Sequence, residues 1–321
     1  MLFAQQKPQY SQYIFNNYLL NPALSGIENY TDVKLGYRQQ WTGLEGAPKT
    51  MFISANWALG DDYLWANALS FEQDGTDPRS RNYEQHYTAS PAHHGLGLIL
   101  VNDKAARLEN TTIAISYAYH IKVGGNMNLS AGVAAGANRI GIDGNALVLE
   151  NPIDPALRNI VRTQIKPDLS AGLWLYGPRF FSGISCQQIL PQNLSFTNTE
   201  NYNDGEQVPH LFFTGGYKIY LSEEFSLVPS LMFKMVQNVP FSADVNVKLA
   251  FHDKFWLGAG YRKNDAMNIM AGFNVSHLLN LTYAFDYTAS PLKQASNGSH
   301  EIVLGILLNN VYKVLCPQRM W

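Results

Sequence analysis

The sequence predicts an all-β fold, a transmembrane antiparallel β-barrel of about fourteen strands. Apolar side chains alternate with small or polar ones along most of the chain, and this period of two is typical of β-strands. Charged residues are only 15% of the 321 residues, against roughly 25% in an average soluble protein. The mean hydropathy is −0.16, and we find no run of 18 apolar residues that would predict a membrane helix. A barrel fits both observations, because only alternate residues of its strands face lipid.

The alternation also predicts which side chains face outward. It is clearest between residues 111 and 121, where isoleucine and tyrosine alternate with alanine, serine and histidine. The predicted lipid-facing positions include Val33, Leu35 and Tyr37 near the start of the chain, Ile113, Ile115 and Tyr117 in the middle, and Met267, Ile269, Ala271 and Phe273 near the end.

Fourteen segments show this alternation, and most have about the 9–11 residues that a tilted strand needs to cross hydrocarbon. They cover roughly 32–40, 49–58, 94–102, 108–121, 127–138, 167–176, 179–188, 210–221, 225–237, 241–251, 254–263, 265–275, 279–287 and 299–308. An even number of strands, as bacterial single-chain barrels have, brings both ends of the barrel to the same side. We therefore expect the barrel to occupy residues 32–308.

The connections predict the orientation, because outer-membrane barrels have short periplasmic turns and long outer loops. Short turns follow alternate strands, and long connections fall on the other side at 139–166, 189–209 and 288–298. Both termini are therefore expected in the periplasm, with an N-terminal segment at 1–31 and a C-terminal tail at 309–321. Residues 1–4 are interpreted as the remnant of a signal peptide.

One connection breaks this rule. Residues 59–93 form a 35-residue stretch on the side of the short turns, and connections this long are usually functional or disordered. The aromatic residues in and beside it favour order. We interpret it as a periplasmic insertion or as a plug that folds back under the barrel.

Charged residues fall on the inward face of the predicted strands. The basic ones are Lys34, Arg38, Lys218, Lys234, Lys248 and Arg262, and the acidic ones are Asp168, Asp244 and Asp286. They could line an ion-conducting pore, or they could form a salt-bridge network in a closed lumen. Bulky inward residues at Trp174, Tyr176 and Trp256 favour the closed lumen.

Patterns for metal binding and catalysis are weak. His93, His94 and Asp103 have no further nitrogen or sulfur ligand at a useful spacing, so surface histidines are expected and no metal site. Ser116 and His120 share a strand face but stand roughly 13 Å apart at about 3.3 Å per residue. We therefore predict no catalytic residue, no cofactor and no enzyme, and a barrel hydrolase remains a remote alternative.

Composition and cysteine usage add two further expectations. The formal net charge of −2 argues against a nucleic-acid partner, whose binding surface would be strongly basic. Cys186 and Cys316 are 130 residues apart. A disulfide between them stays open as an alternative, but two unpaired thiols are favoured.

Three N-terminal motifs carry a family resemblance. They are Pro-Gln-Tyr-Ser-Gln-Tyr at 8–13, Asn-Pro-Ala-Leu-Ser-Gly at 21–26 and Tyr-Arg-Gln-Gln-Trp at 37–41. With these motifs the chain resembles the PorP/SprF family of outer-membrane proteins of the type IX secretion system. The likeness extends over essentially the whole chain, and the ending from Cys316 to Trp321 looks like the SprF branch.

The resemblance implies a non-enzymatic barrel of the cell outer membrane that serves the secretion or surface attachment of particular cargo. Such cargo, including gliding adhesins, carries a type B C-terminal domain. Secretion and motility components on the periplasmic side are further implied partners, beside outer-membrane lipid. The alternative from the residues alone is a passive channel for small solutes.

The resemblance assigns no binding residues, so we take candidates from the connections. Exposed apolar patches rimmed by polar residues often mark interaction sites, and barrel loops vary without disturbing the wall. The predicted cargo-binding residues in the outer loops are Leu147, Val148, Leu149, Ile189, Leu190, Leu194 and Phe196. The predicted contacts with the secretion machinery are Trp65, Phe71 and Trp321.

Overall fold

The computed structural model describes residues 7–60, 89–142, 163–194, 205–222, 224–237, 239–251, 254–276 and 278–310. Within these ranges, no helix is both long and apolar enough to span a bilayer.

The described residues form a closed antiparallel barrel. The wall strands are β1 (Thr31–Gln39), β2 (Lys49–Leu59), β3 (His93–Ala105), β4 (Leu108–Lys122), β5 (Asn128–Ile142), β6 (Thr163–Tyr176), β7 (Phe180–Gln187), β10 (His210–Tyr217), β12 (Phe225–Val236), β13 (Val239–Phe251), β14 (Phe255–Arg262), β15 (Ala266–Asn274), β16 (Leu279–Thr288) and β17 (Ser299–Leu308). The two-residue β11 (Ile219–Tyr220) continues β10 along β12. A separate hairpin joins β8 (Gln192–Leu194) to β9 (Gly205–Gln207).

Two pairings close the wall. The first strand pairs with the last, with Leu35 opposite Leu304, and β10 pairs with β12, with Phe213 opposite Phe233. All other neighbours in the wall are consecutive and antiparallel. The predicted fold class, an antiparallel barrel of fourteen strands, is confirmed.

The strand bounds differ from the predicted ones mainly at one end of the barrel. β5 extends to Ile142 and β6 begins at Thr163, so each is about four residues longer than the alternation indicated. The added residues pair with each other in register, for example Gly141 with Thr163. Arg139 interrupts the apolar face of β5, and Ile165 is the one apolar residue in 163–166. A search for the alternation therefore stops short of these residues.

The two ends of the barrel differ in their connections. The long-loop mouth is the end where β5 and β6, β7 and β10, and β16 and β17 are connected. The short-turn mouth is the opposite end, where β4 joins β5 and β6 joins β7, and where β1 begins and β17 ends.

Burial follows the predicted alternation. On β4, Ile115 is 64% exposed and the next residue, Ser116, is 1% exposed. The other predicted outward residues are exposed or half-buried, and the predicted inward residues are buried except Lys234, which is half-buried. The exterior is thus an apolar face, and the polar side chains face the lumen.

This facing predicts a depth-dependent cost of charge on β4. Ile115 lies at the middle of the strand and Ile121 on the same face near its end, and both are exposed. In a bilayer, Ile115→Arg should lower the free energy of unfolding by about 2–4 kcal/mol and Ile121→Arg by about 0–1 kcal/mol, because arginine near the interface reaches water. Unfolding from lipid vesicles in denaturant measures both. Equal costs would contradict the assignment of this face to lipid.

Candidate functional site

Most of the predicted site residues lie outside the described residues. This holds for Leu147, Val148, Leu149 and Phe196 in the loops and for Trp65, Phe71 and Trp321. Leu194 ends the short β8, and only its backbone is described. The remaining two follow β7: Ile189 is half-buried and Leu190 is 41% exposed. Their role in cargo binding stays a prediction.

The lumen contains a feature that the strand pattern did not reveal. Residues 11–28 are all buried, and they lie inside the barrel wall. The sequence placed residues 1–31 in a periplasmic segment before the barrel, whereas the described part, from Lys7 onward, occupies the lumen. The physical reason is that inward polar side chains of the wall bind its backbone and side chains.

This lumen segment, residues 7–30, runs from one mouth to the other. The Lys7 Nζ donates to Gln187 Oε1 at 3.2 Å and lies 3.5 Å from Asp168 Oδ2, on the side of the long-loop mouth. At the other end the segment leads directly into β1 at Thr31, at the short-turn mouth. Lys7 and the end of β17 are therefore on opposite sides of the barrel. Which side is periplasmic stays a prediction.

A buried ionic cluster holds the segment near the long-loop mouth. Arg38 pairs with Asp286 at 2.7 Å and with Glu301 at 2.9 Å, and all three side chains are at most 3% exposed. The Ser11 hydroxyl donates to Asp286 at 2.5 Å, and Arg38 donates to the same hydroxyl oxygen at 2.7 Å. The segment is thereby part of the charge network, since its serine bridges an arginine and a carboxylate.

A second arginine extends this cluster. Arg262 pairs with Asp244 at 3.0 Å and approaches Asp286 at 3.9 Å. It also donates to the main-chain carbonyl of Tyr10 at 3.2 Å. The predicted salt-bridge network in a closed lumen is present among these residues. Buried pairs of this kind cost several kcal/mol to break on one side, because a charge is left without its partner.

Side-chain hydrogen bonds hold the middle of the segment. Asn246 donates to the Tyr13 hydroxyl at 2.7 Å, and the Tyr18 and Ser116 hydroxyls lie 2.6 Å apart. The Ser25 hydroxyl lies 2.7 Å from the same Ser116 oxygen. One wall serine therefore joins two side chains of the segment in a continuous chain of hydroxyl groups.

Glycines of the wall form a close-fitting seat for residues 21–26. A Cβ on Gly132 would lie 2.5 Å from the Ala23 Cα, and one on Gly95 would lie 1.9 Å from the Ser25 carbonyl oxygen. Neither distance is tolerated by real atoms, so the wall approaches the segment as closely as backbone allows. The inward side of these strands is therefore shaped to the segment.

Two histidines contact the segment beside this seat. His93 and His120 stack with ring centroids 4.4 Å apart, and both are at most 3% exposed. Their Nε2 atoms lie 3.2 Å from the Gly26 carbonyl oxygen and 2.8 Å from the Ser25 carbonyl oxygen, respectively. The expectation of surface histidines is wrong for His93. It faces inward because it shares the inner face of β3 with Gly95 and Gly97 and lies opposite the buried His120. His94, its neighbour, is exposed as predicted.

Metal and redox chemistry find little support in the described ranges. No group of three histidine, cysteine, aspartate or glutamate side chains there is arranged to hold a metal ion. Cys186 is half-buried in β7, and Cys316 lies outside the described residues. The pairing of the two cysteines stays open.

Two small cavities lie in the lumen beside the start of the lumen segment. A cavity of about 70 Å³ borders Pro8 and Tyr10 on one side, and another of about 20 Å³ borders the same residues on the other. At roughly 10–15 Å³ per water centre, these spaces hold a few waters. The lumen segment thus leaves little free volume beside Pro8 and Tyr10.

The ionic cluster predicts a large loss of stability when one of its charged residues is replaced by an uncharged one. Arg38→Gln leaves Asp286 and Glu301 buried without their shared cation, so the barrel should lose about 3–5 kcal/mol of unfolding free energy. Arg139→Gln is the control, because Arg139 is exposed on β5 and should change stability by less than about 0.5 kcal/mol. Denaturant unfolding of the barrel in lipid measures both. Equal stability of the two variants would show that the cluster does not hold the fold.

Several solved barrels resemble this chain in structure. The CymD monoaromatic hydrocarbon channel aligns with a TM-score of 0.45 and 11% identity, over 91% of each chain. The Pseudomonas putida toluene transporter TodX gives 0.46 and 7%, over 90% of this chain and 92% of that one. A Pseudomonas aeruginosa FadL homologue gives 0.45 and 10%, over 93% of each. The fold assignment rests on the strand pairing described above and not on these alignments.

Sequence comparison is more specific. A search of curated proteins finds no match. The family model described as type IX secretion system membrane protein PorP/SprF matches residues 2–306, nearly the whole chain. The motifs at 8–13 and 21–26, singled out in the sequence, are also the parts of the lumen segment that contact the ionic cluster and the glycine seat. This protein belongs to the PorP/SprF family of type IX secretion system membrane proteins.

Proposed function

We propose that this protein is a non-enzymatic barrel of the outer membrane that holds specific cargo at the cell surface during type IX secretion. The cargo would be recognised through a type B C-terminal domain, as in gliding adhesins. The ending from Cys316 to Trp321 supports a place in the SprF-like branch. The observation that carries the proposal is a closed barrel whose lumen is filled by its own N-terminal segment, in a chain of this family.

A filled lumen favours a function in which other proteins bind to the outer surfaces of the barrel over a function in which solutes pass through it. The segment blocks the bore through buried contacts along its whole length, from Ser11 to Glu28, and the neighbouring cavities hold only a few waters. A passive channel for small solutes, the alternative from the sequence, needs an open path. The barrel is then better suited to present its loops to a binding partner than to conduct solutes.

The connections at the long-loop mouth are the proposed cargo surface. The structure narrows their bounds, because β5 extends to Ile142 and β6 begins at Thr163. The proposed surface then comprises residues 143–162 and the stretch beyond β7, which includes Leu190. A rigid wall beneath them supports a binding surface, since loops vary without disturbing the strands.

The opposite mouth is the proposed side of the secretion and motility machinery. The insertion at 59–93 and the tail at 309–321 both leave the barrel there, because β2 ends at Leu59 and β17 ends at Leu308. Trp65, Phe71 and Trp321 are the proposed contacts. Cargo and machinery would then bind to opposite faces of one rigid body.

Electrical recording tests the closed lumen. Purified protein in a planar bilayer should show little or no steady conductance, because the lumen segment fills the bore. The positive control is any open porin reconstituted under the same conditions. A large, stable, ohmic conductance would favour the passive channel.

Loop replacement tests the cargo surface. In two separate variants, a short Gly-Ser linker replaces residues 143–162 or residues 195–204. The amount of cargo that co-purifies with each variant from solubilised outer membrane is then measured. Each replacement should abolish retention of cargo and leave heat-modifiable migration of the barrel unchanged. The matched control is a Gly-Ser insertion between Gly124 and Gly125 in the β4–β5 turn, which should retain cargo. Cargo retained after both replacements would place the binding surface elsewhere.

A further inference from the structure

The wall around residues 10–12 contacts several polar groups of this stretch. The Glu301 carboxylate accepts from the main-chain N–H of Ser11 at 2.8 Å and from that of Gln12 at 3.3 Å. Arg262 donates to the Tyr10 carbonyl oxygen at 3.2 Å. A carboxylate that accepts from two successive N–H groups matches the donor spacing of a peptide backbone.

Side chains of the same stretch are also recognised. The Ser11 hydroxyl lies between Asp286 and Arg38. The Gln12 amide nitrogen donates to the Glu301 carbonyl oxygen at 2.8 Å, and the Thr282 hydroxyl donates to the Gln12 amide oxygen. A small hydroxyl residue followed by an amide residue satisfies these groups together.

The charges of the wall explain why a donor-rich ligand is needed. Two arginines, Arg38 and Arg262, face three buried carboxylates, Asp244, Asp286 and Glu301. Arg262 also pairs with the half-buried Asp265 at 3.3 Å. Carboxylates therefore outnumber the arginines of this cluster, and buried acceptors need donors. The N–H and hydroxyl groups of Ser11 and Gln12 supply them.

We propose that this cluster is a peptide-binding site at the long-loop mouth. The chain's own residues 10–12 occupy it, and an extended peptide of a partner protein replaces them. That peptide has a hydroxyl residue directly before an amide residue. The site is formed by Arg38, Arg262, Asp286 and Glu301. It stands on these contacts and does not depend on the proposed cargo function.

Exchange is favoured at this end of the segment by the free volume beside it. Cavities flank Pro8 and Tyr10 on both sides, and residues 7–10 are only half-buried. In the seat around Ala23 the wall glycines touch the segment backbone, although the larger cavity also borders Pro22. The first residues of the segment can therefore leave while the seat remains filled.

A labelled peptide tests the site in the full-length protein. The probe is fluorescein-labelled Pro-Gln-Tyr-Ser-Gln-Tyr, the sequence of residues 8–13, and binding to the barrel in detergent is followed by fluorescence anisotropy. The tethered segment competes at an effective concentration on the order of mM. The double variant Ser11→Ala, Gln12→Ala weakens this competitor and should bind the probe at least tenfold more tightly than the unmodified chain.

Three controls separate recognition from general loosening. Adding Glu301→Gln to the double variant should weaken probe binding at least tenfold, with heat-modifiable migration showing that the barrel is folded. A probe with alanine in place of its serine and second glutamine should bind at least tenfold more weakly. Ser130→Ala removes a hydrogen bond of 2.6 Å to the Ala23 carbonyl oxygen in the seat and should bind the probe as weakly as the unmodified chain.

The proposal is overturned by either of two results. One is no binding of the probe to the double variant at millimolar concentration. The other is binding that is equal for both probes or unaffected by Glu301→Gln, because the contacts of the cluster would then not select the peptide.

Discussion

The central constraint in this protein is that every buried polar group needs a partner. A fourteen-stranded barrel has polar side chains on its inner face, and they are shielded from bulk water once the lumen is filled. The segment from Lys7 to Tyr30 meets this constraint, because its backbone and amide-rich side chains are donors and acceptors along the whole lumen. Wall and segment therefore satisfy many of each other's polar groups.

The two ends of the segment are held by different physics. Near the long-loop mouth the contacts are ionic and hydrogen-bonded, with Arg38 and Arg262 at the centre. Near the short-turn mouth they are steric, because Gly95 and Gly132 let the wall touch the segment backbone. Ionic contacts can exchange partners when water or another peptide arrives. If residues 21–26 left the glycine seat, their packing contacts would be lost, and a small molecule such as water would not replace them.

These differences bear on how a secretion barrel could work. Because the bore is filled, the surfaces at the two mouths are the parts of the barrel where partners would bind. The end of the segment at the long-loop mouth lies beneath the proposed cargo loops. The proposed cargo domain would then meet both these loops and the proposed peptide-binding cluster. The rigid wall would keep this surface in a fixed relation to the opposite mouth, the proposed side of the machinery.

Much of the fold was determined by the sequence alone. Alternation of polarity is a local property, so the order of residues is enough to assign Ile115 and Ser116 to opposite faces, and inward charges such as Arg38 and Asp286 follow from the same count. The motif at 8–13 was visible too, and it carried the family. The position of this motif inside the lumen could not be predicted. A segment whose polarity does not alternate gives no sign of what surrounds it.

Tertiary structure decided where residues 7–30 lie and which charges meet. Ser11 contacts Asp286, 275 residues away in the chain, and such a pairing depends on barrel closure, which strand propensity does not encode. The inward placement of Gly95 and Gly132 was a signal that could have indicated a close-packed lumen. What those glycines accommodate became clear only from the folded chain, because close approach of two backbones is a property of both partners.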